Sequence, residues 1–578
     1  MKNSSYTFSA VPTIRHKRSR FDLSGRILTD ANVGELVPFY VQEVYPGDTF
    51  KIKSACVSRL SSTFFKPIMD NLFQDTYFFY VPSRILYDKF VNVFGENTQS
   101  AWANTQDYEV PTFDCLDDGA TSDPGIAIYK RSVGHMMALP CTEGIADGRI
   151  YSLSRNISVL PFRAFAKVYE DWFRDENNVQ PMHIQTGEIV NSEYPNNNEW
   201  APNNYTGKLP KVAKFHDYFT SCLPAPQKGS PVDFPILSGA SDVAVVTKAG
   251  NHTAGSVGLD GIPIGGTLQP NSPLAMYLNR DSSVNVTSSI LLANSPTASG
   301  VGNVSFSPTN LWALTSGLTG QPFSVNDLRF AVQLQKMLER DARGGTRYCE
   351  YLLSHFGVSS PDARLQRSEF LGGKRTPINI SQVTQTSTPT TSGNEPTGSV
   401  YGMSHSESFS RATKGFVEHG FVIGVTCIRQ FHTYTQGIQR FWTRSKRTDF
   451  YDPVFANIGE QPVYKSELYG IFDVTDELPS DQDLSIFGYQ EAWADLRQRP
   501  SVATGTMQDE LDLWNLSDKY ANAPTLTPAF IQENAVNLDR CISVSSDKQP
   551  QFILDFYVEN IAYRSLPSYS IPGLVDHN

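Results

Sequence analysis

The chain has 578 residues, a length that suits either several ordinary domains or one framework that carries large insertions. Hydrophobic residues make up 40% of it and aromatic residues 12%, which excludes a disordered chain because a buried core can form. The net charge of -11 excludes a protein that coats nucleic acid with its whole surface, since phosphate neutralisation needs concentrated Lys and Arg. Any contact with nucleic acid must therefore be local.

The seven cysteines are far apart and never form a CxxC pair, which excludes a zinc ribbon and a dense disulfide framework. We expect reduced thiols, as in a protein made in the cytoplasm. The polar N-terminus lacks the apolar core of a secretory signal, and no run of apolar residues is long enough to span a bilayer. No membrane insertion is expected.

Residues 1–35 are predicted to form a basic N-terminal arm. Its cations have the charge density to touch phosphates, so we treat Arg15, Lys17, Arg18 and Arg20 as candidate DNA contacts. The alternatives are a solvated arm and an arm that pairs with carboxylates of a neighbouring subunit.

Strand patterns occur near both ends of the chain and are rare in the middle. Leu36–Tyr45 and Thr49–Val57 flank the turn residues Pro46 and Gly47, a pattern that predicts a β-hairpin. Further runs of strand-forming residues are Thr76–Val81, Gly420–Arg429, Gln551–Val558 and Ile561–Leu566. A sheet framework with long insertions follows from this distribution.

Helices are predicted inside those insertions. Pro161–Glu176 places large aromatic residues on one face after a proline that suits the first turn. A second helix is predicted from an N-cap at Ser324 to Gly344, and a shorter one over Arg84–Phe94. The predicted fold class is thus an all-β core with large loop insertions that contain several α-helices.

Residues 229–312 differ from the rest because they carry six charged residues in 84 positions and are rich in Gly, Ser, Asn, Thr and Pro. A flexible linker is one interpretation. We favour a subdomain of short strands, because Val243–Val246, Val284–Val286 and Ile290–Leu292 are β-formers bounded by turn residues.

A second basic run, Arg440–Arg447, interleaves cations with Phe441 and Trp442, as groups that neutralise phosphate and stack on bases do. Arg444, Lys446 and Arg447 are its candidate DNA contacts. The interpretation we favour places the two aromatic residues in the core and the charges at an interface. Arg340, Arg343 and Arg347, which are interspersed with acidic residues, predict an ion-pair network.

Carboxylates gather near position 480, where Asp473, Asp476, Asp481 and Asp483 are candidate ligands for a structural calcium ion between subunits. A solvated acidic loop is the default interpretation, because the spacing lacks the EF-hand pattern. No cofactor is required by any motif. Walker, nucleophile-elbow, zinc-protease and dinucleotide-binding motifs are all absent, so no enzyme is predicted.

Particular segments resemble the major capsid proteins of gokushoviruses, which are small tailless single-stranded-DNA bacteriophages of the Microviridae. The opening segment Leu36–Phe50 (LVPFYVQEVYPGDTF) carries the resemblance first. It continues collinearly at Met69–Leu72, Tyr77–Pro82, Trp172–Glu176, Leu338–Tyr348, Ser360–Arg367, Phe487–Glu491 and Pro572–His577.

The resemblance implies an eight-stranded antiparallel jelly roll over residues 36–578, which assembles through pentamers into a T=1 icosahedral shell of sixty copies around circular single-stranded DNA. It further implies that the basic arm is interior, and that residues 195–312 form a variable insertion which projects at the threefold axes and contacts a host receptor. Small internal viral proteins are expected partners, and the virion, assembled in the host bacterial cytoplasm, is the expected location.

Two other classes of function stay open at this point. A β-sandwich that binds or cleaves glycans would also suit the many Tyr, Trp and Asn residues, and it would be a monomer with a pocketed carboxylate pair. A receptor-binding spike would form a small oligomer.

Overall fold

The computed structural model describes residues 18–96, 108–113, 128–142, 153–188, 198–230, 232, 245–247, 311–313, 325–386, 398–471 and 485–569. The chain divides into two units. The first comprises Met1–Lys228 and Leu338–Asn578, and the second comprises Gly229–Met337. All the surfaces discussed below belong to the first unit.

The described strands are β1 (Ser19–Asp22), β2 (Gly25–Ala31), β3 (Val37–Val44), β4 (Thr49–Leu60), β5 (Leu72–Pro82), β6 (Thr112–Phe113), β7 (Ile157–Ser158), β8 (Val245–Thr247), β9 (Leu311–Ala313), β10 (Glu369–Ile378), β11 (Ile380–Thr384), β12 (Val400–Gly415), β13 (Gly420–Gln430), β14 (Thr433–Tyr434), β15 (Glu460–Tyr464), β16 (Ile486–Glu491), β17 (Ser501–Val502) and β18 (Phe552–Arg564). The described helices are α1 (Phe90–Val93), α2 (Val133–Met136), α3 (Leu160–Trp172), α4 (Val325–Gly344), α5 (Tyr348–Phe356), α6 (Pro528–Ile531) and α7 (Val536–Cys541).

Two antiparallel sheets form the framework. One runs in the order β1-β18-β4-β12-β11, with β2 also paired to β18, and the other runs β10-β5-β13-β3. The remaining described strands form two-stranded pairs. The prediction that both ends of the chain supply strands is confirmed, because β18 pairs with β1, β2 and β4.

The two sheets pack face to face as a β-sandwich. Alternate residues of β4 and β12 point inward and are buried, as one-sided strands require. Phe39 of β3 stacks on Phe556 of β18 with ring centroids 4.0 Å apart, and Asn560 Nδ2 donates to Tyr40 Oη at 2.9 Å. These contacts join residues of facing sheets, so the antiparallel β core is confirmed.

The predicted hairpin between Leu36–Tyr45 and Thr49–Val57 is wrong in its pairing. Both strands exist, but β3 pairs with β13 whereas β4 pairs with β12 and β18 in the other sheet. The turn at Gly47, whose φ is +88°, therefore carries the chain from one sheet to the other. The Gly47 N–H bonds to the Phe416 carbonyl at 2.8 Å, which ties the crossing to the β12–β13 turn.

The helix predictions are confirmed in part. The first predicted helix appears as α3, which ends at Trp172, four residues short of the predicted end at Glu176. The second appears as α4 with the predicted end at Gly344, while its predicted cap Ser324 lies outside the described residues. The helix predicted over Arg84–Phe94 is wrong, because a 3₁₀ turn and the four-residue α1 take its place.

Parts of the predicted N-terminal arm (residues 1–35) and of the predicted insertion (residues 195–312) belong to the first unit. Within the predicted arm of residues 1–35, β1 and β2 belong to the six-stranded sheet, so this part of the arm is integrated in the framework. Within the predicted insertion, residues 198–228 belong to the first unit, where Tyr205 and Val212 are buried. Of the three short strands predicted there, β8 overlaps Val243–Val246, and the other two lie outside the described residues.

Candidate functional site

The N-terminal basic run lies partly outside the described residues, which begin at Arg18. Arg15 and Lys17 precede that point. Arg18 and Arg20 are exposed, and Arg20 stands opposite Tyr563 in the pairing of β1 with β18. Both side chains are therefore accessible to an anion at the edge of the six-stranded sheet.

The second basic run, Arg440–Arg447, contains both cations that form ion pairs and cations that are exposed. The Arg444 guanidinium bonds to Asp495, and both side chains are 13% exposed. Arg440 Nη1 donates to the Pro462 carbonyl at 3.1 Å and lies 4.0 Å from Glu467. By contrast, Lys446 and Arg447 are exposed and form no ion pair within the described part of the chain. The structure thus leaves free cations at two of the three predicted positions.

A cleft of about 780 Å³ opens beside this run. One wall is the segment that contains Arg440 and Arg444, and the other comprises positions from Asp495 to Gln508. Tyr218 Oη donates to Glu467 at 2.9 Å beside the cleft, and burial raises the pKa of the Glu467 carboxyl. On the second wall, Arg497 pairs with Glu491 at 2.5 Å. Most of the positive charge that lines the cleft is therefore compensated internally.

We call residues 440–458 the aromatic segment, because their large apolar side chains are exposed. Trp442 is 73% exposed and Phe441 51%, with ring centroids 4.8 Å apart. The exposed set continues with Phe450, Tyr451, Val454, Phe455 and Ile458. The favoured interpretation that placed Phe441 and Trp442 in the core is wrong for the isolated chain. The segment is built from short 3₁₀ turns, which have no apolar stripe long enough to bury them.

The backbone of the aromatic segment is nevertheless held firmly. Asp449 accepts hydrogen bonds from the N–H groups of Ser445 and Lys446 at 3.0 and 2.8 Å, and these bonds lower the pKa of its carboxyl. Trp493 Nε1 donates to the Phe455 carbonyl at 2.9 Å, and its ring packs edge-on against Tyr451 at 5.4 Å. The exposed rings therefore stand on an ordered base.

A buried ionic network, which the sequence reasoning missed, lies beside the buried ring of Phe530. His432 contacts Asp518 at 2.9 Å and Glu533 at 3.1 Å, and Lys214 lies 3.5 Å from Asp518. Burial alone would lower the pKa of His432, but the carboxylates of Glu533 and Asp518 outweigh it and raise the pKa to about 9. Asn537 also bonds to Asp518. The network ties together segments that are far apart in the sequence, and no local motif announces it.

The ion-pair network predicted for Arg340, Arg343 and Arg347 is confirmed at Arg343 and Arg347, and most of their partners lie elsewhere in the sequence. Arg343 pairs with Glu460, and Arg347 lies 3.2 Å from Glu350 and 3.7 Å from Glu176. The guanidinium groups thus join the end of α4 and the start of α5 to other elements of the first unit, which is a structural use of their charge.

The predicted calcium ligands Asp473, Asp476, Asp481 and Asp483 lie outside the described residues. Among the residues that the structure does describe, no group of three His, Cys, Asp or Glu side chains is arranged to hold a metal ion. Over the same residues, none of the helices combines the length and the apolar character that crossing a membrane requires.

Comparisons with known proteins give a consistent result. A family model described as capsid protein (F protein) matches residues 9–574. The chain is 37% identical to Capsid protein VP1 of Spiroplasma virus 4 over 581 residues, which cover 96% of this chain and 95% of that protein. It is 34% identical to Capsid protein VP1 of Chlamydia phage 1 and 32% identical to that of Bdellovibrio phage phiMH2K, with 99% of this chain and 98% of each relative covered.

Proposed function

Because this chain belongs to the capsid protein (F protein) family, it is a structural capsid subunit of the virion, and we propose that it forms a T=1 icosahedral shell around circular single-stranded DNA. The resemblance to gokushovirus major capsid proteins is confirmed by the same matches. The near full-length similarity supports the proposal, because a shell subunit contacts its neighbours through surfaces spread over the whole chain. Sixty copies joined through pentamers would complete the shell.

The sandwich supports the proposed jelly roll. Without β1 and β2, the two sheets hold eight strands, the number that a jelly roll requires. β10 and β11 are separated only by Asn379, yet they belong to different sheets, so the chain turns a corner of the sandwich there. Long insertions between the strands, such as the one that holds α3, leave room for subunit contacts outside the sheets.

The proposal assigns DNA contact to the N-terminal run of Arg15, Lys17, Arg18 and Arg20. Arg444 is neutralised by Asp495, which removes its charge from the set available to phosphate. The exposure of Arg18 and Arg20 supports an interior arm that precedes β1, and small internal viral proteins would share that surface.

The proposal assigns host contact to the outward projection of the variable insertion, which the low charge and turn-rich composition of residues 229–312 support. The Lys228 N–H donates to the Leu338 carbonyl at 3.3 Å, so the two chain ends that flank the second unit lie side by side. Residues 229–337 are therefore replaceable by a short glycine linker. Shells that assemble normally but no longer adsorb to the host are the expected result, and normal adsorption would contradict the assignment.

Electron microscopy with mass photometry on the purified full-length chain, titrated through salt and calcium, tests the shell itself. We expect closed, uniform particles whose mass corresponds to sixty subunits, together with pentamers at intermediate conditions. A calcium-dependent yield would favour a structural ion at the carboxylates near position 480 over the solvated acidic loop. A persistent monomer, even when the other viral proteins are co-expressed, would contradict the shell and favour the glycan-binding alternative.

A further inference from the structure

The aromatic segment combines large exposed rings with a rigid base. Phe441 and Trp442 are more than half exposed. The backbone that follows them is held at Lys446 by a hydrogen bond to Asp449 and at Phe455 by a hydrogen bond from Trp493. Contiguous exposed apolar surface of this kind marks a contact site in a folded protein. Rings that are already ordered lose little conformational entropy when a partner covers them.

The charges beside the rings favour a protein partner over nucleic acid. Arg440, Arg444 and Arg497 are each engaged by a carboxylate of the same chain, so they have little charge left for phosphate. Aromatic rings together with largely paired arginines are the composition of protein interfaces, in which Trp, Tyr, Phe and Arg are enriched. A single-strand binding groove would instead keep its cations free.

We propose that the aromatic segment, with the adjoining cleft wall at Leu496–Val502, is the surface on which a second copy of this chain docks. Charge complementarity identifies the occupant. The aromatic segment carries four cations against two carboxylates, Asp449 and Asp452, and Lys446 and Arg447 form no ion pair with the described residues, whereas the whole chain has a net charge of -11. A second copy therefore offers the excess of carboxylates that can pair with these cations. When that copy binds, it covers the exposed rings of the aromatic segment. This inference rests on the proposed self-assembly.

The contact is heterologous, because the basic aromatic segment cannot pair with itself without bringing like charges together. Each copy would thus present this segment to a different, more acidic face of the next copy. Repeated around an axis, such head-to-tail contacts close into rings, as assembly through pentamers requires.

The first test is the double variant Phe441→Ser with Trp442→Ser, expressed beside the wild type and a control, Val536→Ser. Val536 is 68% exposed and lies outside the aromatic segment. We expect the double variant to keep the far-UV circular dichroism of the wild type and to lose at least tenfold in particle yield, while the control assembles normally. Unchanged yield of the double variant would overturn the proposal, and so would normal particles that have lost only their DNA.

A second measurement is independent of any variant. Oxidative footprinting with mass spectrometry compares Trp442 in intact wild-type assemblies and in dissociated subunits, with the buried Trp493, which is 5% exposed, as the unreactive reference. We expect Trp442 to react in subunits and to be protected at least fivefold in assemblies, at high salt as well as low. Equal reactivity in both states would overturn the proposal.

The two proposals fail separately. If the wild type forms only small oligomers, the T=1 shell is contradicted, but protection of Trp442 in those oligomers would still support the contact. If closed shells form with Trp442 fully reactive, the shell stands and the contact is wrong.

Discussion

In the β-sandwich, Phe39 and Phe556 stack between facing sheets with almost no exposed surface, whereas Phe441 and Trp442 of the aromatic segment contact each other at a tilt and are exposed to solvent. The two regions use the same residue types. The sandwich hides its rings because a strand alternates its side chains, so that one face is buried along its whole length. Short 3₁₀ turns have no such continuous face. The difference indicates that one set of rings stabilises the subunit and the other is kept for assembly.

The largest expected effect lies inside the sandwich. Phe556→Ala removes a fully buried ring and leaves a cavity against Phe39, so we expect the free energy of unfolding of the subunit to fall by about 4 kcal/mol. Tyr557→Ala is the matched control, because its side chain is on the opposite face of β18 and 54% exposed. Chemical denaturation of assembly-free subunits should separate the two variants clearly. Equal losses would mean that burial of the Phe556 ring does not stabilise the subunit.

A loss of stability of intermediate size is expected at the ionic network, which is held together by buried charges, whereas the sandwich is stabilised by buried rings. His432→Asn leaves Asp518 and Glu533 buried without their shared cation, so we expect a loss of about 3 kcal/mol. Because the folded-state pKa of His432 is raised to about 9, above its ordinary value of 6.5, its contribution is complete below about pH 6.5 and is lost as the pH rises through 9.

Urea unfolding measured from pH 6 to pH 10 checks this dependence. The wild type should lose stability over the upper part of that range, and His432→Asn should show a flatter profile. A wild-type profile that rises toward pH 10, or one that the substitution does not alter, would contradict the assignment of charge to His432.

The smallest losses of stability are expected in the aromatic segment, where they should differ between paired and unpaired cations. Arg444→Ala leaves the largely buried Asp495 carboxylate without its partner, and we expect the free energy of unfolding to fall by about 1–2 kcal/mol. Arg447→Ala removes an exposed cation that forms no ion pair with the described residues, so we expect a change within about 0.5 kcal/mol. Thermal unfolding of the two variants measures the difference. A large loss for Arg447→Ala would mean that the segment stabilises the subunit after all.

Alternation and turn residues predicted the strands well, but they could not predict which strands pair. Pro46 and Gly47 were identified correctly as a turn, and the strands on both sides were found. The hairpin interpretation failed because a turn does not specify whether the chain folds back within one sheet or crosses to another. That choice depends on β13 and β18, which lie hundreds of residues away.

The candidate site was predicted where charge was concentrated locally and missed where it was assembled by the fold. The composition of Arg440–Arg447 indicates a basic surface, but it does not predict that Phe441 and Trp442 are exposed, because large rings usually lie inside a protein. His432 gave no signal, since Lys214, Asp518 and Glu533 reach it from separate segments. Only a three-dimensional arrangement reveals such a network.

The central place of β18 in its sheet has a consequence for biosynthesis. Lys53 of β4 meets Glu559 of β18 across 506 residues, so at about 5–20 residues per second β4 waits roughly 25–100 s on the ribosome before that neighbour exists. During this time one edge of β4 stays open to other chains. A truncated chain that lacks β18 cannot complete the six-stranded sheet, so we expect it not to fold into a subunit that can assemble.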